Sequence, residues 1–386
     1  MSPTVAARLA YLALYGAVGA SFPYLAVFYG SRDLSLETIG LLTAITAAAG
    51  LVAAPVWGAV ADRFAGSRLV LPMAALLAAA GAAALAVARG PVLIALAVVG
   101  MSLAFSGLGP TLDARALETV RGNRDRYGGL RAWGSASFIV VVSVTGALIE
   151  RAGAASLFIL YIAALLVLAL VTIPLRGVVN EIRLPRLTGI GVVLRHPPLA
   201  RFLLAILLVW SASMGINWYF SIHLLDLGAP GELVGAAWAI GALVEVPIMW
   251  AYPWLASRIG AERLLVAGAS AFALRALALA LVSDPLLASL TMVLHGVGFG
   301  LVLVGGVTYV ARHAQPAVAA TAQGILSATV FSLALIIGPS VGSFTAAAWG
   351  ATAMFVLSCV AGLAAVPLLW LAVGSGATTP VMVTET

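Results

Sequence analysis

Apolar runs separated by short polar clusters recur from one end of this chain to the other. Their approximate extents are 6–30, 38–61, 68–88, 92–119, 129–150, 154–174, 200–225, 232–256, 263–282, 286–311, 319–345 and 349–373. Each matches the length of about 20 residues that a helix needs to cross the hydrocarbon core of a bilayer. The longest polar gap, about 176–197, carries Arg176, Glu181, Arg183, Arg186 and Arg195 and falls between the sixth and seventh runs. The pattern therefore predicts an all-α polytopic membrane protein with twelve transmembrane helices in two pseudo-symmetric six-helix bundles. Residues 1–175 form the N-terminal bundle, 176–198 a cytoplasmic central loop and 199–386 the C-terminal bundle.

Composition excludes the main competitor. Only 9% of the 386 residues are charged, against about 25% in an ordinary soluble protein, so a polar surface for a soluble globule cannot be built. All 20 basic residues are arginine, and their placement gives an orientation. With a cytoplasmic N-terminus, sixteen fall on the cytoplasmic side, including Arg115, Arg121, Arg124, Arg126 and Arg131. Arg32, Arg89 and Arg151 fall on the other side and Arg275 lies within a span. This asymmetry predicts an inner (cytoplasmic) membrane protein with both termini cytoplasmic. It also accounts for the net charge of +6 without a nucleic-acid partner. The first run, from about Leu9 to Tyr29, is long enough to span and carries no convincing cleavage site. The single cysteine, Cys359, has no partner for an internal disulfide.

The halves echo each other. Trp57-Gly58-Ala-Val-Ala-Asp62-Arg63 with Gly66 and Arg68 follows the second run, and Trp254-Leu-Ala-Ser-Arg258 with Arg263 follows the eighth. Both put two arginines five residues apart in a short loop on one side. Repeats of this kind characterise transporters in which two related bundles rock about a site between them. The first loop resembles the signature of the major facilitator superfamily between its second and third helices, although the glycine comes three residues after Arg63 rather than two. Three further stretches sharpen the likeness: Arg126-Tyr127-Gly128-x-Leu130-Arg131-x-Trp133-Gly134-Ser135, Glu245-Val-Pro247 with Arg275, and His295-Gly296-x-x-Phe299-Gly300. Together they resemble the proton-symporter branch that includes lactose permease and the 3-phenylpropionate transporter. The resemblance implies two six-helix bundles around a central cavity. It also implies that the loop of Asp62, Arg63 and Arg68 is a cytoplasmic latch.

Three ionisable residues lie near mid-depth. Glu245 is midway between Glu232 and Arg258, about 20 Å from each at the helical rise. Arg275 is near the centre of the ninth run and His295 near that of the tenth. A charge in the membrane interior costs about 2.5–3.5 kcal/mol on insertion scales, so these groups are expected to meet one another or water. An ion pair between Glu245 and Arg275, with His295 beside it, would meet that need. As a mere strut it would be a poor substitute for apolar packing. The functional reading makes Glu245, His295 and Arg275 the proton-coupling group. Burial favours a neutral carboxylate and a neighbouring cation the charged one, so movement of an arginine would change proton occupancy.

Aromatic and amide side chains supply candidate substrate contacts. Tyr15 and Phe22 of the first run, and Asn217 and Trp218 of the seventh, join Arg275 in that role. Arg275 suits a carboxylate and the aromatics suit a ring. Asp113 lies toward the cytoplasmic end of the fourth run, where it is expected to partner Arg131 or Arg63 in a gate. No serine-protease elbow with a histidine at its depth, metal-ligand spacing or cofactor motif is present, which argues against an enzyme. The expected partners are a small-molecule substrate, protons and the lipid bilayer, with the chain acting as a monomer. Proton symport of an aromatic or other organic acid leads. Uniport and proton-coupled efflux remain open, as do sugars, nucleosides and drugs. The fifth run lacks the Gly-Pro-x-x-Gly-Gly pattern of many efflux antiporters.

Overall fold

A computed structural model describes residues 1–64, 67–120, 124–175, 188–315 and 318–374. Gly66, Arg121, Arg176, Glu181, Arg183 and Arg186, and with them most of the expected central loop, lie outside the described residues. So do the side chains of Asp62, Arg124 and Arg126.

The described residues are helical almost throughout. The N-terminal half comprises α1 (Pro3–Ser21), α2 (Leu25–Gly30), α3 (Leu36–Arg63), α4 (Val70–Val87), α5 (Pro91–Phe105), α6 (Leu108–Thr119), α7 (Arg124–Ala152) and α8 (Leu157–Thr172). The C-terminal half comprises α9 (Thr188–Arg195), α10 (Pro197–Asp226), α11 (Gly231–Ile259), α12 (Ala261–Leu281), α13 (Pro285–Leu290), α14 (Met292–His313), α15 (Ala319–Ala328) and α16 (Ala334–Gly374).

Among the described residues, ten helical stretches are long and apolar enough to cross a membrane. The last of them, Thr321–Ala372, is two crossings. Its helix breaks at Gly350, at φ 85° and ψ 166°. A Cβ built on Gly342 would lie only 3.3 Å from Met354 Sδ, whereas a straight helix would separate those residues by about 18 Å. The chain therefore doubles back. The first crossing is α1 plus α2, broken at Phe22–Tyr24, where Pro23 cannot continue the helical hydrogen bonds. The result is twelve crossings among the described residues. Tight turns between them use glycines in the left-handed region, as at Gly153 and Gly260, where other residues would be strained. One element departs from the sequence pattern: Thr188–Arg195 of the expected central loop is helical. Its Val193 is buried while Ile190, Val192 and Leu194 are exposed, so it lies on the C-terminal half as a short amphipathic helix.

The two halves meet mainly along two helix pairs, α7 against α11 and α3 against α16, with α2 also touching α10. Small residues permit the approach. A Cβ on Gly40 would sit 2.8 Å from Ser343 Cβ and 2.9 Å from Pro339 O. One on Gly146 would run into the Gly231 carbonyl, and one on Gly235 would sit 2.9 Å from Ser143 Cα. Polar contacts gather at the same end. Glu150 Oε2 accepts from Gly231 N at 2.6 Å, and Arg151 and Glu232 are 3.7 Å apart with both side chains exposed. This end carries the Gly153 and Gly350 turns. The opposite end carries the N-terminus and the loops after α3, α6, α11 and α14.

Candidate functional site

A cavity of about 630 Å³ lies between the halves. Its lining follows helical periodicity on every wall. Tyr15 and Val18 of α1 with Phe22 just past its end, Arg131, Ser135 and Phe138 of α7, and Trp210, Met214 and Asn217 of α10 each repeat at three- or four-residue steps. So do Trp238, Ala242, Glu245 and Met249 of α11 and Met292, His295, Phe299 and Leu303 of α14. Such steps keep side chains on one face of a helix. Toward the joined end, an aromatic plug spans the two halves. The Phe22 ring lies 5.6 Å from Trp218 and 5.6 Å from Trp238, edge to face in both cases. Trp238 Nε1 donates to Ser221 Oγ at 3.0 Å, which fixes the orientation of the indole.

The N-terminal wall holds its charges through tyrosines. Arg131 donates to Tyr15 Oη at 2.6 Å and also lies 4.9 Å from the centre of that ring. Tyr11 Oη donates to Asp113 Oδ1 at 2.6 Å. Tyr11 lies 6.4 Å from both the Tyr15 and the Tyr127 rings. Asp113 thus reaches Tyr11, with Tyr15 standing between that pair and Arg131. Its expected direct pairing with Arg131 or Arg63 does not form among the described residues. Arg131 stays exposed to the cavity, so its charge keeps access to water.

The C-terminal wall is organised around a buried cation. Arg275 is fully inaccessible and lies behind the lining. Its Nη1 donates to Asn217 Oδ1 at 2.7 Å and lies 3.2 Å from His295 Nδ1. Nη2 reaches Met292 Sδ at 3.2 Å, and the guanidinium sits 5.0 Å from the centre of the Phe220 ring. The expected ion pair with Glu245 does not form: among the described residues, these two groups are not bridged. The reason is rotational. Glu245 shares a face of α11 with Trp238 and Met249 and turns into the cavity, whereas Arg275 on α12 is enclosed by α10 and α14. The cation that lines the cavity with Glu245 is Arg131, from the other half. Three ionisable groups near one depth therefore divide into two environments.

The remaining expected residues scatter. Trp218 belongs to the plug and not to the cavity lining. Arg63, the last residue of α3, and Arg68, just before α4, are exposed at the end opposite the joined one. The sequence reading counted Arg115 only among the cytoplasmic arginines; it is buried and donates to Leu175 O at 2.7 Å and Ser67 O at 3.2 Å. It ties the end of α8 to the loop before α4. The sequence reading missed Trp238 and Met292. Trp238 lies seven residues before Glu245, on the same helical face, so periodicity alone carried that signal.

Comparison with known proteins settles the family. A model of the MFS_1 like family matches residues 5–357. The chain belongs to this family. It is a membrane-spanning transporter of the major facilitator type and not an enzyme. Maltose permease of Geobacillus stearothermophilus is 30% identical over 360 residues, covering 91% of this chain and 90% of that protein. A probable 3-phenylpropionic acid transporter of Escherichia coli (strain K12) is 27% identical over 279 residues, covering 68% and 70%. The crystal structure of the nucleoside transporter NupG superposes with a TM-score of 0.81 at 18% identity, covering 98% of this chain and all of that one. At that identity the likeness speaks for the fold alone.

Proposed function

We propose that this family member is a proton-coupled symporter of a small organic solute, working by alternating access, with Glu245 as the proton carrier. One observation carries the reading. The Glu245 carboxylate lines the cavity, has no hydrogen bond or ion pair among the described residues, and shares that cavity with Arg131 of the opposite half. A carboxylate without a fixed partner is free to exchange protons with water in the cavity. Protonation removes the charge opposite Arg131, weakening an attraction between the two bodies that must separate. The neutral form also crosses the occluded state without exposing a bare charge to a dry barrier. Inward proton movement then supplies about 2.3 kcal/mol per 100 mV.

The placement of arginines supports an inner-membrane protein with both termini cytoplasmic. The arrangement joined at the Gly146–Gly231 end is then inward-facing. Residues 1–175 and 199–386 act as the rocking bodies, joined through 176–198, and the chain works as a monomer. The loop of Asp62, Arg63 and Arg68 serves the opposite, outward-facing state.

The aromatic walls suit a ring-bearing solute, and Arg131, rather than the enclosed Arg275, is the cation open to an organic acid. The 3-phenylpropionic acid transporter supports this substrate class. A sugar is the second reading, favoured by the maltose permease relative and by polar groups such as Asn217 and Glu245 among the aromatics.

The test follows external pH in lightly buffered, de-energised cells as 3-phenylpropionate, maltose and nucleosides are added in turn. Alkalinisation by one compound, absent in Glu245→Gln, is the expected result. Labelled uptake with no pH change would make the protein a uniporter and overturn the role of Glu245. Efflux of a preloaded compound driven by an inward proton gradient would overturn the direction.

A further inference from the structure

The geometry points to Arg275 as a positioning residue that fixes two neighbours so that the C-terminal wall presents hydrogen-bond donors to the cavity. This rests on the reading of the cavity as the substrate site. A guanidinium has five N–H donors and no acceptor. Whatever faces it at hydrogen-bond distance must accept. Arg275 Nη1 carries two hydrogens and has two neighbours, Asn217 Oδ1 at 2.7 Å and His295 Nδ1 at 3.2 Å. His295 must then keep Nδ1 unprotonated and carry its proton on Nε2. Asn217 must turn its oxygen to the arginine and its NH2 away.

The remaining atoms face the cavity. Both side chains line it, and neither His295 Nε2 nor Asn217 Nδ2 has a protein partner or is sealed from access among the described residues. Packing holds the arrangement in place. The His295 ring is framed by Trp238, Phe272 and Phe299, with centres 6.3, 5.8 and 5.7 Å away. Phe220 and Met292 close over the guanidinium. Arg275 therefore acts through others. It turns two side chains that each contain both donor and acceptor into a wall of fixed donors. The solute should meet this wall with acceptor oxygens, whether hydroxyl, carbonyl or carboxylate.

The test is nitrogen NMR of the full-length protein in lipid nanodiscs, with ¹⁵N-histidine and separately ¹⁵N-asparagine. Signals are assigned by their loss in His295→Gln and Asn217→Asp. The expected wild-type spectrum at neutral pH shows His295 with unprotonated Nδ1 and protonated Nε2, and an Asn217 NH2 in contact with water. On acidification, Arg275→Met gains an Nδ1–H signal that the wild type lacks, and Arg275→Lys behaves like the wild type. An Nδ1–H tautomer or an Asn217 NH2 shielded from water in the wild type would overturn the proposal without any variant having to fold. An Arg275→Met spectrum identical to wild type throughout would overturn it as well. None of these readouts involves proton-coupled uptake, so a uniporter with this spectrum would overturn the symport reading and leave this one standing.

Discussion

The two walls of the cavity hold charge in opposite ways. On the N-terminal side Arg131 is exposed and is steadied by a tyrosine. On the C-terminal side Arg275 is fully enclosed and its donors are directed to an amide, an imidazole and a thioether. An exposed cation can be reoriented cheaply, because water replaces each lost contact and an exposed pair contributes only about 0–1 kcal/mol. A buried cation has no such substitute, so losing one acceptor costs about 1–3 kcal/mol. The comparison teaches a division of labour. The N-terminal wall is suited to change its charge balance during transport, and the C-terminal wall is suited to stay fixed. Glu245 belongs to the fixed half by sequence but faces the changeable wall.

The largest effect is expected where the walls interact. Glu245→Gln should abolish substrate-driven alkalinisation and uphill accumulation while leaving counterflow of labelled solute. Retained accumulation would remove the contrast at its centre. Next comes the joined end. Gly146→Trp cannot fit against the Gly231 backbone, so it should disfavour the arrangement shown here. A cysteine placed at Phe22, in a protein lacking Cys359, should then react faster with an impermeant thiol reagent from the face opposite the termini. Unchanged reactivity would mean that the halves do not part there.

The C-terminal wall offers a paired test. Asn217→Ala removes the acceptor for Arg275 and should lower thermal stability by about 1–3 kcal/mol. Asn217→Asp keeps that acceptor but loses the cavity-facing donors. It should melt near the wild type while binding solute roughly tenfold more weakly, the worth of about one hydrogen bond. Equal melting of the two variants would show that this wall is not built around the arginine. Arg131→Gln should leave the melting temperature within about 0.5 kcal/mol of wild type, as for most exposed substitutions, yet alter coupling. The smallest effect on transport belongs to Tyr11→Phe. Loss of its hydrogen bond to Asp113 should cost about 0.5–1.5 kcal/mol and leave proton coupling intact.

Most of the fold could be read from the chain because a bilayer imposes simple requirements. Crossing lengths are fixed by its thickness, and backbone groups in lipid must be satisfied within each helix. The spans and the shared depth of Glu245, Arg275 and His295 all follow from positions along the chain. The helix Thr188–Arg195 escaped notice because a single amphipathic turn or two is hidden in a generally polar segment.

Depth is thus what the sequence determined, because it is counted along one helix at a constant rise. Partnership is what only the tertiary structure decided. Which side chain Arg275 meets depends on the rotation of α12 relative to α10 and α14, and which charge Glu245 faces depends on how α11 lies against α7 of the other half. A rotation of one residue turns a helical side chain through about 100° at 3.6 residues per turn. That rotation, invisible in a count of spans, separates a buried ion pair from the arrangement found, a caged arginine and a carboxylate facing the cavity.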